Sequence, residues 1–137
     1  NNVHVVGVFN KFTSRLKDKN HIVLNEVSDM GNMGTIIRTM SGFDLLDLVL
    51  IGNVADIYNP KTIRASMGSI FNIRFHHYPT MEAYLEDFPE RKLYLFMLSR
   101  REEDSIYRQK EEGTYSLVFG NEGSGLPDYY EKYGRKI

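Results

Sequence analysis

The chain has 137 residues and 42% apolar content, enough for one domain with a hydrophobic core and short for two. Its 17 basic and 18 acidic residues give a formal net charge of -1, so no global positive field marks a nucleic-acid partner and any such contact must come from local patches. Cysteine is absent, which excludes disulfides and thiolate metal ligands.

No run approaches the roughly 20 apolar residues that a membrane-spanning helix needs. The opening Asn1-Asn2-Val3-His4 has no basic-then-apolar targeting pattern, so a cytoplasmic protein is expected.

In chain order, short β-branched and aliphatic runs predict strands at Val3–Phe9, His21–Val27, Leu45–Ile51, Asn72–His76, Leu93–Leu98 and Tyr115–Phe119. They alternate with helical periodicity, which predicts an α/β fold with a mainly parallel sheet flanked by helices. Leu45–Ile51 and Leu93–Leu98 are nearly all apolar, as central strands covered on both faces are. Lys11, Arg15, Lys17 and Lys19 form a basic cluster that can touch phosphates or simply be a solvated face.

The first helix should carry Met33, Ile36, Ile37 and Met40 on one face and close at Gly42 in a left-handed conformation. A second should start at Asn59-Pro60, with asparagine capping and proline at the first position, and share Ile63, Met67, Ile70 and Phe71 on one face. A third has Thr80 as cap and a stripe of Met81, Tyr84, Leu85 and Phe88. Between Ser99 and Gly113 the chain is strongly charged and reads as a solvated excursion. His4, His21, His76 and His77 lack metal-ligand spacing, and His76 and His77 should point to opposite faces of a strand, so no metal is expected.

Two segments can carry chemistry. The first is Asn32-Met33-Gly34-Thr35-Ile36-Ile37-Arg38, after a strand and opening a helix. Asn32 at the helix mouth can face the sheet edge, Gly34 permits close approach, and Arg38 points a polar group elsewhere. Equally, Asn32 can be a cap and Arg38 a surface residue. The second is Ser116–Phe119 running into Gly120-Asn121-Glu122-Gly123-Ser124-Gly125-Leu126-Pro127. This glycine loop follows a strand at the carboxyl edge of a parallel sheet, where ligands bind. No lysine and hydroxyl follow the glycines, so it is not a P-loop, and the glycine spacing is not that of a dinucleotide fingerprint.

Together these segments resemble the SpoU, or TrmH-like, branch of the SPOUT methyltransferases. Motif one of that family resembles Asn32-x-Gly34-x-x-x-Arg38-Thr39, and Asp56-Ile57-Tyr58-Asn59-Pro60-Lys61 through Arg64-Ala65-Ser66-Met67-Gly68 is similar to the next block. Motif two resembles Leu117-Val118-Phe119-Gly120-Asn121-Glu122-Gly123 with Gly125-Leu126. Both motifs in order across about 100 residues make a specific match.

The resemblance implies a SPOUT-type sheet with a C-terminal trefoil knot, a rare exception to unknotted topology, and S-adenosyl-L-methionine as cofactor, held by Leu98, Ser99, Gly120, Asn121, Gly123 and Leu126. It further implies methyl transfer to a ribose 2'-hydroxyl of rRNA or tRNA, with Arg38, Asn32 and Glu122 at the reacting centre, and a homodimer.

The family assigns the activating role to Arg38, but a guanidinium with pKa above about 12 is a poor base. A phosphate clamp that polarises the hydroxyl is the better expectation, with Glu122 and Asn32 orienting Arg38 and the ribose. The family pattern continues into a third motif, an Ile-Pro stretch followed by Ser-Leu-Asn, whereas this chain starts without methionine and stops at Ile137. The expectation is a domain over 1–137 without its C-terminal segment, and an incomplete knot. A non-catalytic RNA-binding domain with the same fold, or a nucleotide-binding domain resting on the glycine loop, are the alternatives.

Overall fold

A computed structural model describes residues 7–98 and 113–137. Six strands form one sheet in the order β3-β2-β1-β5-β4-β6, and every neighbouring pair is parallel. They are β1 (His21–Asn25), β2 (Asp47–Ile51), β3 (Arg74–Tyr78), β4 (Lys92–Leu95), β5 (Tyr115–Phe119) and β6 (Arg135–Lys136). The mainly parallel α/β sheet expected from the alternating pattern is therefore present. After β3 the chain crosses back, and β5 enters between β1 and β4, pairing with both. The knot depends on the path of 99–112, which lies outside the described residues, as does the charged excursion expected there.

All five residues of β1 and of β2 are buried, because successive side chains enter different layers. Ile22, Leu24, Leu48 and Leu50 join the core beneath α1 (Met30–Gly42), while Val23, Val49 and Ile51 join the core beneath α3 (Met81–Asp87).

Several expected boundaries move. Of the strand expected at Val3–Phe9, residues 1–6 are outside the described set and 7–9 have no regular structure. β1 stops at Asn25 because Glu26 takes φ 54°. β2 starts at Asp47 rather than Leu45, and β3 occupies Arg74–Tyr78 rather than Asn72–His76. Their ends are set by pairing: Asp47 stands beside Arg74 in register and accepts two hydrogen bonds from its guanidinium, at 2.7 and 2.6 Å. β4 stops at Leu95 rather than Leu98, although Phe96 N still donates to Val118 O at 2.9 Å.

The α1 stripe is as expected for Met33, Ile37 and Met40, with Ile36 packed at the margin. Gly42 ends this helix without leaving the right-handed region. The left-handed residue is Asp44 at φ 57°, after Phe43 N has closed the turn on Thr39 and Met40 carbonyls.

The second helix, α2 (Pro60–Ala65), has Asn59 as its cap, accepting from Lys61 N at 2.9 Å. It does not carry one stripe through Phe71. Met67 and Gly68 reverse the chain at φ 50° and 86°, and a 3-10 turn follows at Ser69–Phe71. Ile70 is buried whereas Met67 and Phe71 are exposed.

Thr80 caps α3 through Ala83 N at 3.2 Å. Its Tyr84 is fully buried and its hydroxyl lies 2.8 Å from His21 Nδ1 and 2.7 Å from Ser116 Oγ. His76 and His77 are both exposed on β3, the first against the Tyr78 ring and the second bonded to Gly52 O at 2.6 Å. No described helix is long and apolar enough to cross a membrane.

Candidate functional site

The carboxyl ends of β1 and β5 bring together two loops, Glu26–Asp29 and Gly120–Leu126. Helix α1 starts from the first. Asp29 is its cap, in extended conformation, accepting from Asn32 N at 2.7 Å. That bond leads the causes that hold the Asp29 carboxyl below its ordinary range, with Lys61 at 3.4 Å adding to it. Asn32 is thus the third helical residue rather than the cap, and its side chain is available to the opposite loop.

It meets Glu122 there. Asn32 Nδ2 donates to Glu122 Oε1 at 3.3 Å, and the same carboxylate accepts from Asp29 N at 3.2 Å and Ser28 N at 3.3 Å, with Asn121 Nδ2 at 3.4 Å. Burial pushes the Glu122 carboxyl up, but the amides of Glu122, Ser28 and Asp29 with the Asn32 side chain outweigh it, and the net direction is down. Glu122 is therefore a carboxylate at neutral pH with its oxygens already engaged. It is an anchor at the mouth of α1, where amides and helix dipole favour an anion.

Arg38 is not part of this cluster. It is exposed on α1 and makes no hydrogen bond or ion pair among the described residues. Six residues of helix carry it about 120° around the axis from Asn32. The expected orientation of Arg38 by Glu122 and Asn32 is therefore absent, because those two are bonded to each other and to the α1 amides.

Gly34 serves helix packing. A Cβ there would stand 2.5 Å from Ala65 Cβ and from Thr62 O, so α2 lies against α1 only because the position is glycine. Gly120 works in the same way inside its own loop: a Cβ there would collide with the Gly125 carbonyl carbon and oxygen and with Leu126 N. The loop closes on itself through Gly125 N to Asn121 O at 2.9 Å, with Gly125 at φ 70°.

Beyond this loop lies a cavity of about 550 Å³ at the carboxyl ends of β4, β5 and β6. Of the expected cofactor residues, Leu98, Asn121, Gly123 and Leu126 line it, as does Glu122. Gly120 borders instead an apolar trough of about 430 Å³ between α1 and β5, which Asn32 and Glu122 also edge. Ser99 lies outside the described residues. Leu98 is fully exposed and Leu126 is buried.

Sequence reasoning missed Phe96, Asp128, Lys136 and Ile137 in the cavity wall. Phe96 is stacked on Phe119 at 4.3 Å. It also missed Ser28 and Asp29 as donors to Glu122. Asp29 carried a signal, an acid just before an apolar-periodic run, but Lys136 and Ile137 had none, since β6 is only two residues long.

Among the described residues no group of three or more His, Asp or Glu side chains is arranged to hold a metal ion. The cavity suits an organic cofactor. It is of ordinary ligand size, with aromatic and aliphatic walls for a flat ring, loop backbone for polar edges and the Glu122 carboxylate at its border for a cationic centre. Those features fit S-adenosyl-L-methionine.

A sequence model described as the SpoU rRNA Methylase family matches residues 19–135. The chain is 30% identical over 110 residues to the ribosomal RNA small subunit methyltransferase G 2 of Syntrophobacter fumaroxidans, covering 80% of this chain and 21% of that protein. It is 28% identical over 105 residues to the 23S rRNA (guanosine(2553)-2'-O)-methyltransferase RlmP of Bacillus subtilis, covering 77% of this chain and 42% of that protein. The chain thus spans less than half the length of these curated relatives.

The AdoMet-bound rRNA methyltransferase of Sinorhizobium meliloti superposes with a TM-score of 0.75 at 25% identity, over 92% of this chain and 49% of that one. With the family model running across both glycine-bearing motifs and nearly the whole sheet, the chain belongs to the SpoU rRNA methylase family.

Proposed function

We propose that the protein transfers a methyl group from S-adenosyl-L-methionine to a ribose 2'-hydroxyl of RNA, either rRNA or tRNA. The observation that carries this is that Glu122, which lines the 550 Å³ cavity behind the glycine loop, is bonded at 3.3 Å to Asn32 at the mouth of α1. Family membership and the names of the relatives supply the reaction class.

When bound, S-adenosyl-L-methionine supplies a methyl group activated on a sulfonium sulfur. The chain's own contribution is alignment. The loop Asn121–Leu126 forms the cavity wall, with Gly123, Leu126 and the Asn121 backbone toward the cofactor. Leu98 extends that wall beyond the end of β4, and Ser99, the next residue in the chain, is proposed as a cofactor contact with it. Glu122 fixes the two loops and orients Asn32, whose amide remains able to hydrogen-bond the ribose. Arg38 clamps an RNA phosphate through its bidentate guanidinium and polarises the hydroxyl, the phosphate or a water taking the proton.

A homodimer belongs to the same proposal. The apolar trough between α1 and β5, bordered by Phe43 at 77% exposure, is the surface that supports it. Sedimentation of full-length protein at high concentration should give a dimer. The cytoplasm, where RNA and cofactor meet, is the proposed compartment.

Incubation of full-length protein with labelled S-adenosyl-L-methionine and total RNA tests the reaction. The expected product is RNA carrying label in nucleotides resistant to alkaline cleavage at the 3' side. RNA binding without any cofactor binding would identify a non-catalytic RNA-binding domain instead.

A further inference from the structure

We propose that Asn121 is a positioning residue, a two-ended amide that locks the cofactor-side loop to the acceptor-side loop and sets the geometry of transfer rather than cofactor affinity. This rests on the methyltransferase reading and deepens it.

The two ends of the side chain do different things. Oδ1 accepts from Gly123 N at 2.9 Å, Ser124 N at 3.2 Å and Ser124 Oγ at 3.4 Å, all in its own loop. Nδ2 donates to Glu26 O at 2.8 Å, with Ser28 Oγ and Glu122 Oε2 both at 3.4 Å, all but Glu122 in the loop that opens α1.

The carbonyl it reaches belongs to a residue that needs holding. Glu26 takes φ 54° without being glycine, a conformation that persists only when its surroundings over-determine it. Glu26 N is bonded to Ile51 O at 3.1 Å and its carbonyl to Asn121, so the turn is pinned from two strands. Two residues later come the Ser28 and Asp29 amides that receive Glu122. Asn121 therefore sets where those amides, and with them Asn32, stand relative to the cavity wall.

Only a short amide can do this. Aspartate keeps acceptors for Gly123 and Ser124, but it offers no donor to Glu26 O and sets a second carboxylate against Glu122. Serine can hold the turn at Gly123 and is too short to reach Glu26.

The test compares Asn121→Asp and Asn121→Ser with wild type in the full-length protein, reading S-adenosyl-L-methionine affinity by calorimetry and methyl transfer to RNA at saturating cofactor. The expected result is affinity within about threefold of wild type and kcat lower by roughly tenfold or more, the kinetic equivalent of one lost hydrogen bond.

Wild-type kcat in both variants overturns the proposal. So does an equal loss of kcat and affinity in a variant that melts as wild type does. If Asn121→Asp does not fold, Asn121→Ser, which adds no charge, gives the same comparison. Wild-type protein that binds no cofactor overturns the methyltransferase reading and this inference together, which separates the two failures.

Discussion

Asn32 Nδ2 donates to Glu122 Oε1 at 3.3 Å across 90 residues of sequence, and this bond ties the mouth of α1 to the loop after β5. Because Glu122 also receives two backbone amides, the carboxylate is a fastening between two crevice loops. Replacement by glutamine keeps one acceptor but turns an amide group toward the Ser28 and Asp29 donors. Glu122→Gln is expected to lower stability by about 1 kcal/mol, since the group is exposed and its hydrogen bonds are screened. Methyl transfer should fall by more than tenfold. Urea denaturation and RNA methylation on one preparation check both, and wild-type activity with lowered stability would remove Glu122 from the site.

Arg38 should separate catalysis from cofactor binding, because it stands about 120° around α1 from Asn32 and does not line the cavity. Arg38→Ala in the full-length protein is expected to abolish methylation and leave S-adenosyl-L-methionine affinity within a few-fold. Arg38→Lys should recover little, since a lysine cannot reproduce the bidentate fork. Parallel loss of both quantities in a folded variant would refute this division of labour.

Gly34→Ala tests the α1–α2 contact. The new methyl would meet Ala65 Cβ and Thr62 O, both at 2.5 Å, and backbone cannot step aside as a flexible side chain does. Overpacking of this kind costs about 1–3 kcal/mol, more than the gain from alanine's higher helix propensity. Thermal unfolding should show a lower midpoint, with the loss undiminished in high salt.

His21 predicts a pH dependence of stability. The ring is fully buried. Its Nε2 donates to Lys17 O at 2.7 Å, so Nδ1 accepts from the Tyr84 hydroxyl, which in turn accepts from Ser116 Oγ. Burial, the largest cause, lowers the His21 pKa below its ordinary 6.5 despite the Lys17 carbonyl and nearby carboxylates.

The folded state therefore holds His21 neutral while the unfolded chain takes up a proton near 6.5. This contribution is complete above that pH and is lost as pH falls from 6.5 through the lowered folded value. Denaturant titrations should give less stability at pH 5 than at pH 8. His21→Phe should flatten that limb, and an unchanged limb in the variant would assign it to other groups.

The sheet was readable because β1, β2 and β5 are apolar on successive residues and are bounded by turn chemistry, so that Tyr115–Phe119 emerged with both ends in place. α2 was misread for a physical reason. Its buried residue is Thr62, with Ser66 buried at its C-cap, both set against Gly34, whereas Ile63 is only partly buried and Met67 is exposed. Periodicity measures hydrophobicity, and here close helix approach selected for size.

At the site, the sequence displayed Asn32 and Glu122 as residues in two motifs. It could not show that Asp29 would take the cap and leave the Asn32 side chain to cross to Glu122. Asn121, which the resemblance places at the cofactor, lines the cavity, and its side chain also crosses to Glu26 O. Long-range hydrogen bonds of that kind have no local signature.

The crevice beside the Asn32–Glu122 bond is proposed to hold S-adenosyl-L-methionine. A crystal structure of the full-length protein grown with S-adenosylhomocysteine tests it most directly. Ligand density is expected in the cavity between Phe96, Leu126 and the Gly123 loop, with its sulfur on the side facing Asn32. Clear density at another place on the sheet, with this cavity filled by protein side chains, would contradict it.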